Sequence, residues 1–170
     1  NHSDRDLTDY LERLKKAIDK EDVKVVQCKA VEELVRNSDI ICTTTPSTTP
    51  VLPDDKELLR GKCIIAIGSY MPEMREIPDA VLDLVDNVYI ELPYACEESG
   101  DLSQPLASGK LTKDRIKLMH EYLVSGEKEI KEGQTTYFKS VGMGLFDVCI
   151  AQKLYEVAKL AYSGEFDDKK

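Results

Sequence analysis

Apolar and polar residues are spaced in two different ways along this chain, and the two patterns alternate. Short runs of β-branched and apolar residues favour strands, whereas apolar residues spaced three and four apart favour helices with one buried face. The predicted strands span residues 23–26, 40–45, 63–67, 88–92 and 135–141. The predicted helices lie at residues 3–20, 30–36, just before Gly61, at 78–87, at 112–126 and at 145–161. Residues 93–109 are acidic and show neither period, so a loop is predicted there.

Most of the predicted strands are apolar on both faces, and predicted helices separate them. This alternation indicates a parallel sheet that helices cover on both sides, joined by right-handed crossovers. We therefore expect an α/β fold with a doubly wound, Rossmann-type, mostly parallel sheet. The Gly-x-Gly-x-x-Gly turn that usually anchors a pyrophosphate does not occur in the sequence.

The net charge of the chain limits the kinds of partner that it is expected to bind. The formal charge is −9 at pH 7, which disfavours binding to nucleic acid and to anionic membrane surfaces. No apolar run in the sequence approaches the ~20 residues that span a bilayer. We expect a cytoplasmic protein whose ligands are small molecules rather than nucleic acid or membranes.

The five cysteines are odd in number, and none has metal-ligand spacing to another cysteine or to a histidine. We expect reduced thiols and no metal site. Cys28, Cys42 and Cys63 lie in or at the end of apolar runs, which predicts that they are buried as small apolar side chains. No Gly-x-Ser-x-Gly elbow occurs, so a serine triad is not indicated, and both histidines are expected to be exposed.

Ligands of an open parallel sheet bind beyond the carboxyl ends of its strands, where loops and unpaired N–H groups converge. Small and hydroxyl-bearing residues lie at or just after the carboxyl ends of three of the predicted strands. These candidate residues are Thr44, Thr45, Pro46, Gly68, Ser69, Tyr70 and Ser140. Each feature alone also has a structural explanation, such as β-propensity for the threonines or a turn for Gly68. Their joint placement favours a nucleotide site.

Glu97 and Glu98 form an adjacent acidic pair in the predicted loop. Neighbouring residues of a strand or helix point in different directions, so the two carboxyl groups are not expected to share a proton. One of the two is expected to face a substrate.

Several blocks of the sequence carry a family resemblance. Three of them read IGSYMPEMREI at 67–77, ESGDL at 98–102 and TYFKSVGM at 136–143. Together with NHS at 1–3 and DIICTTTP at 39–46, they resemble the ornithine cyclodeaminase/mu-crystallin family over nearly the whole chain. The blocks at 1–3 and 39–46 are also similar to the cofactor domains of shikimate dehydrogenases, and the other three decide between the families. The Gly-Ser-Tyr block is most similar to that of fungal proline-utilisation proteins.

The resemblance implies that NAD or NADP is bound, and it implies where. The implied contacts are Asn1, His2 and Ser3 at the adenosine end, Thr44, Thr45 and Pro46 in the middle, and Gly68, Ser69, Tyr70 and Ser140 at the nicotinamide. Glu98 would approach the substrate pocket. Many members carry Arg where this chain has His2, and a guanidinium can bind a 2′-phosphate, so both cofactors stay open.

The resemblance also implies an arrangement of domains. Residues 1–141 would form a partial NAD(P)-binding domain, residues 142–163 a helix that rejoins a preceding dimerisation and substrate domain, and residues 164–170 a frayed tail. In the family, two strands and a Gly-rich turn precede the point where this chain starts. We therefore expect a homodimer for the full-length protein. By themselves, residues 1–170 are expected to bind the cofactor weakly and to lack activity.

The activity that the resemblance implies is an NAD(P)-dependent oxidoreduction of a small imine or amino acid, as in ketimine reductases and amino-acid dehydrogenases. An alternative is a non-catalytic NADPH and small-ligand binding protein of the mu-crystallin type. A third hypothesis is ornithine cyclodeaminase. True cyclodeaminases carry an Asp where this chain has Tyr70, and a phenol is a poorer general base than a carboxylate at neutral pH. No residue is assigned as catalytic, since the proton donor would come from the preceding domain.

Overall fold

The computed structural model describes residues 7–18, 23–126 and 130–161. Its strands are β1 (Ile40–Thr43), β2 (Cys63–Ala66), β3 (Val88–Ile90), β4 (Ile116–Leu118) and β5 (Thr136–Lys139). Its helices are α1 (Thr8–Ile18), α2 (Val31–Arg36), α3 (Lys56–Leu59), α4 (Asp79–Leu84), α5 (Ala95–Glu98), α6 (Gly100–Ser108), α7 (Met119–Ser125) and α8 (Gly144–Ala161). The strands form one sheet in the order β1-β2-β5-β3-β4, and all neighbouring pairs are parallel. The predicted α/β class with a parallel sheet is confirmed.

The alternation of side chains along the strands determines which residues form the core. Ile41, Ile64 and Tyr137 are paired in register, so their side chains point to the same face of the sheet. On that face they join one hydrophobic cluster with residues of α3, α4 and α6, among them Leu59, Val81 and Leu102. This face of the sheet is therefore the packed one.

The opposite face of β1 is open in the described part of the chain. Ile40 is 65% exposed and Cys42 is exposed as well. The prediction that Cys42 is buried is therefore wrong, because its position in the strand directs the side chain away from the main cluster. Cys28 and Cys63 are half-buried, and all five cysteines have free thiols.

Residues 23–26 do not form the predicted strand, since residues 23–28 have no regular structure. Val23 is 46% exposed and Val26 is 61% exposed. A β-branched run becomes a strand only where a neighbouring strand accepts its hydrogen bonds and a core covers its side chains. In the described residues neither condition is met here, and β1 forms one edge of the sheet.

The predicted loop at residues 93–109 is wrong, because this segment folds into α5 and α6. The Ser99 hydroxyl accepts a hydrogen bond from the N–H of Asp101 and thereby caps α6, and Gly109 ends it with a φ of +74°. A side chain on Gly100 would overlap the carbonyl oxygens of Pro72 and Met74, so α6 begins in direct backbone contact with the loop after β2.

The single helix predicted at 112–126 is also wrong in its first half. A 3-10 turn at Lys113–Arg115 leads into β4, and only α7 is α-helical. Ile116 and Leu118 pair with β3 at the edge of the sheet. Tertiary pairing with β3 thus overrides the helical spacing of the apolar residues, as is common for short segments.

Helix α8 confirms the helix predicted at 145–161. Its large apolar side chains are exposed in the described structure, with Phe146 at 47% and Leu154 at 64%. Among the helices that the structure describes, none has both the length and the apolarity that crossing a membrane requires.

The guanidinium of Arg115 donates hydrogen bonds to carbonyl groups at the carboxyl end of α4. Its Nη2 donates to the carbonyls of Leu82 and Val85 at 2.7 and 2.6 Å, and its Nε donates to the carbonyl of Asp86 at 3.1 Å. The last carbonyls of a helix have no partner within it, and a cation is favoured there by the helix dipole. Arg115 therefore holds the 3-10 turn before β4 against α4.

We predict that Arg115→Met lowers the free energy of unfolding by about 2 to 4 kcal/mol, because three carbonyls lose a charged donor. Arg60 provides the matched control, since its Nη2 contacts the neighbouring exposed Glu57 at the protein surface. Arg60→Met is expected to change the free energy by less than about 0.5 kcal/mol. Urea unfolding of both variants measures the difference, and equal effects would contradict the assignment.

Candidate functional site

The carboxyl ends of four strands lie in register in one row. This row is the carboxyl-terminal edge of the sheet, which is distinct from its edge strands β1 and β4. Thr43 pairs with Ala66, Ala66 with Lys139, and Lys139 with Ile90. The segments that leave the sheet beyond this row are therefore neighbours. Most of the candidate residues from the sequence lie in these segments: Thr44, Thr45, Pro46, Gly68, Ser69, Tyr70 and Ser140.

The buried carboxylate of Glu76 joins the ends of β1 and β2. Its Oε2 accepts hydrogen bonds from the Thr43 hydroxyl at 2.9 Å and the Gly68 N–H at 2.8 Å. Its Oε1 accepts from the N–H and the hydroxyl of Thr45 at 2.6 and 2.8 Å. The side chain is fully buried, so these four donors replace the water that an ionised carboxylate would otherwise bind.

Gly68 packs directly against the loop after β1. A Cβ atom at this position would overlap the backbone N and O of Thr45. Glycine is required here because the space that a side chain would occupy is filled by the chain itself.

A second buried carboxylate, Glu91, joins the ends of β3 and β5. Its Oε1 accepts hydrogen bonds from the Ser140 hydroxyl at 2.9 Å and from the N–H groups of Val141 and Gly142 at 2.6 and 2.9 Å. Gly142 has a φ of +90°, a conformation that glycine adopts without strain. The loop after β5 is thereby folded onto the end of β3.

A third buried carboxylate, Asp101 at the start of α6, supports the segment that carries Glu76. Its Oδ1 accepts from the N–H groups of Glu76 and Ile77 at 2.7 and 3.0 Å. Its Oδ2 lies 3.4 Å from Nζ of Lys139, and both side chains are buried. Burial raises the pKa of Asp101 and lowers the pKa of Lys139, and each partner's charge opposes that effect on the other.

Tyr137 lies two residues before Lys139 in β5 and is also fully buried. Its hydroxyl has no hydrogen-bond partner among the described residues, and burial together with the nearby carboxylate of Asp101 raises the pKa of the phenol. Tyr137 is therefore neutral near pH 7.

The candidate residues differ in how far their side chains are exposed to solvent. Thr44 and Pro46 are exposed and Tyr70 is 51% exposed, so these side chains are available to a ligand. Ser69 and Ser140 are buried. The Ser69 hydroxyl donates to the carbonyl of Met74 and contacts the hydroxyl of Ser99, and that of Ser140 donates to Glu91.

The sequence also predicts roles for Glu98 and for Asn1, His2 and Ser3. Glu98 is half-buried in α5, while its neighbour Glu97 is exposed. Asn1, His2 and Ser3 lie outside the described residues. His120 is exposed, as expected.

The sequence did not single out the residues that hold the edge together: Glu76, Glu91, Asp101 and Lys139. Glu91 stands between apolar residues of the predicted strand at 88–92, and Glu76 directly precedes the apolar Ile77. An acid is unusual in such positions. That signal is weak, however, because an acid near the end of a strand is equally compatible with solvent exposure.

We predict that Glu76→Gln destabilises the protein by about 2 to 4 kcal/mol, because the amide nitrogen must face a backbone N–H at Thr45 or Gly68. Glu73, an exposed acid in the same loop, offers the control Glu73→Gln. The control is expected to change the free energy of unfolding by less than about 0.5 kcal/mol. Thermal or urea unfolding tests this, and equal stability of the two variants would contradict it.

We further predict that Gly68→Ala destabilises the protein by more than about 3 kcal/mol or prevents folding, because the methyl group overlaps backbone atoms that cannot rotate away. Gly144→Ala is the matched control, since a Cβ there meets no atom of the described residues within 4 Å. The control is expected to be neutral or stabilising because alanine favours a helix. Soluble yield and unfolding midpoints distinguish the two, and a well-folded Gly68→Ala protein would overturn this prediction.

Comparisons with known proteins identify relatives of this chain. The chain is 38% identical over 133 residues to a Delta(1)-pyrroline-2-carboxylate reductase of Bacillus cereus, which covers 76% of this chain and 40% of that protein. It is 34% identical over 135 residues to the ketimine reductase mu-crystallin of Rattus norvegicus, covering 79% of this chain and 40% of that protein. The chain thus spans less than half the length of these relatives.

Two solved structures share the fold. A probable ornithine cyclodeaminase from Bordetella pertussis superposes with a TM-score of 0.76 at 26% identity, covering 95% of this chain and 51% of that chain. The Delta(1)-pyrroline-2-carboxylate reductase of Thermococcus litoralis, solved with NADH and L-proline, has a TM-score of 0.76 at 22% identity, with 92% and 47% covered.

The similarity to fungal proline-utilisation proteins stays a prediction. The wider resemblance is confirmed, because the sequence pattern of the ornithine cyclodeaminase/mu-crystallin family matches residues 6–161. This match covers most of the chain, and the chain therefore belongs to the ornithine cyclodeaminase/mu-crystallin family.

Proposed function

We propose that this chain is the cofactor-binding part of an NAD(P)-dependent reductase that acts on a small cyclic imine or related amino-acid substrate. The observation that carries the proposal is the row of four strand ends in register, with two buried carboxylates fixing the loops that leave them. Cofactors bind at this edge in open parallel sheets. The names of the relatives, pyrroline-2-carboxylate reductase and ketimine reductase, support the reaction class.

The residues at the edge fit a nicotinamide cofactor. The exposed side chains of Thr44, Pro46 and Tyr70 offer a hydroxyl, an apolar ring and an aromatic ring to a ligand that is both polar and flat. Ser69 and Ser140 would act through their backbone, because their hydroxyls already serve the internal network. When bound, the nicotinamide supplies the hydride, and the protein supplies orientation and electrostatics.

The rigidity of the edge is what this chain contributes to the reaction. The loops after β1, β2 and β5 are held by hydrogen bonds to Glu76 and Glu91 within the chain itself. A preformed surface loses little conformational entropy on binding, and it fixes the distance over which a hydride is transferred.

The domain assignment becomes part of the same proposal. Residues 1–141 would form the nucleotide-binding part, and α8 would join a dimerisation and substrate domain of the full-length homodimer. The exposed apolar side chains of α8, such as Phe146 and Leu154, support this, because an isolated surface helix rarely exposes a continuous apolar surface. Glu98 would face the substrate.

We expect the full-length protein to oxidise NADH or NADPH when Delta(1)-pyrroline-2-carboxylate or another cyclic ketimine is supplied. Absorbance at the reduced nicotinamide band measures the rate over a panel of cyclic imines and of keto acids with amines. Cofactor binding without oxidation across that panel would instead favour the non-catalytic binding protein.

The same preparation tests the third hypothesis. Tyr70 lies where a cyclodeaminase needs a general base, so we expect no ammonia release from ornithine in the presence of NAD+. Steady ammonia release would refute the argument from Tyr70 and would favour cyclodeamination.

A further inference from the structure

Glu91 is a buried acid that uses one of its two oxygens. It directly follows β3 and is 6% exposed. Its Oε1 accepts all three hydrogen bonds from residues 140–142, whereas its Oε2 has no hydrogen-bond partner in the part of the chain that the structure describes. None of the ion pairs found in the described residues includes Glu91.

In the other two buried carboxylates, both oxygens have a hydrogen-bond donor or a cation nearby. Both oxygens of Glu76 accept hydrogen bonds, from four donors in total. The second oxygen of Asp101 faces the ammonium of Lys139 at 3.4 Å. Glu91 is therefore the buried carboxylate, within the described ranges, whose second oxygen meets neither a donor nor a cation.

The hydrogen bonds of Glu91 do not explain why the residue is an acid. A glutamine amide oxygen could accept from Ser140, Val141 and Gly142 in the same way, and an amide is easier to bury than a carboxylate. The one buried ammonium of the described structure, that of Lys139, is shared by three buried carboxylates, since Asp101, Glu76 and Glu91 all act to raise its pKa against the effect of burial. What distinguishes Glu91 from a glutamine is its charge.

The position of that charge is specific. Glu91 follows Ile90, which pairs with Lys139 of β5, so its carboxylate lies beside Ser140 at the centre of the edge. Under the proposed function, Ser140 belongs to the segment that faces the nicotinamide. This ring carries one positive charge in the oxidised cofactor and none in the reduced one.

We propose that Glu91 is a positioning residue that holds the loop at 140–142 and whose buried negative charge favours the oxidised cofactor over the reduced one. This inference rests on the proposed function. A unit charge about 10 Å from another, across an effective dielectric constant of about 20, changes an equilibrium roughly tenfold. The charge thus makes the edge selective between two ligands that differ little in shape.

The test compares affinities for NAD+ and NADH, or for the phosphorylated pair if that binds, in the full-length protein by calorimetry and by nicotinamide fluorescence. Glu91→Gln keeps an acceptor for all three donors and removes the charge. We expect its Kd for the oxidised cofactor to rise on the order of tenfold, while the Kd for the reduced cofactor changes less than about twofold. An equal change in both affinities would overturn the inference.

Two controls separate charge from structure. Ser140→Ala removes one hydrogen bond and keeps the charge, so both affinities are expected to fall together at an unchanged ratio. Glu57→Gln removes an exposed acid from α3 and is expected to leave both affinities unchanged. A shift of the ratio in either control would contradict the assignment to Glu91.

Glu91→Asp provides a test that does not depend on the folding of Glu91→Gln. The substitution keeps the negative charge and shortens the side chain, so both affinities are expected to fall together while their ratio stays within about twofold of that of the unmodified protein. A ratio shifted against the oxidised cofactor by as much as in Glu91→Gln would overturn the inference. If the unmodified protein binds neither form, the proposed function itself fails.

Discussion

The carboxylate of Glu76 is the interaction on which the arrangement of the candidate site depends. It accepts hydrogen bonds from the ends of β1 and β2, and it thereby ties together two loops that are separate in sequence. Without it, the N–H groups of Thr45 and Gly68 would lose their acceptor in a part-buried position. Unpaired backbone groups of this sort are strongly unfavourable, so the acid and the loops depend on each other.

Other buried acids also accept backbone hydrogen bonds along the carboxyl-terminal edge of the sheet. Where a parallel strand ends, the next backbone N–H groups lose the neighbouring strand as a partner, and something else must accept their hydrogen bonds. Glu91 does this for the loop after β5, and Asp101 does it for the segment that carries Glu76. Asp101 in turn faces Lys139 of the central strand β5. The edge is therefore supported by buried polar groups beneath an exposed surface.

Buried and exposed residues have different roles in this arrangement. The buried acids and hydroxyls fix the backbone, whereas the side chains of Thr44, Pro46 and Tyr70 are accessible to a ligand. The proposed function assigns nicotinamide chemistry to this surface, in keeping with the chain's membership of the ornithine cyclodeaminase/mu-crystallin family.

The sequence by itself determined the α/β class, the parallel sheet and the loops that carry the candidate residues, because apolar runs and their spacing are local signals. Only the tertiary structure decided that residues 23–26 are not a strand, that Ile116–Leu118 is one, and which partners the buried acids have. Glu76 reaches a residue 33 positions away and Glu91 one 49 positions away. Contacts of this range depend on how the strands are ordered in the sheet, and no local pattern of residues encodes that order.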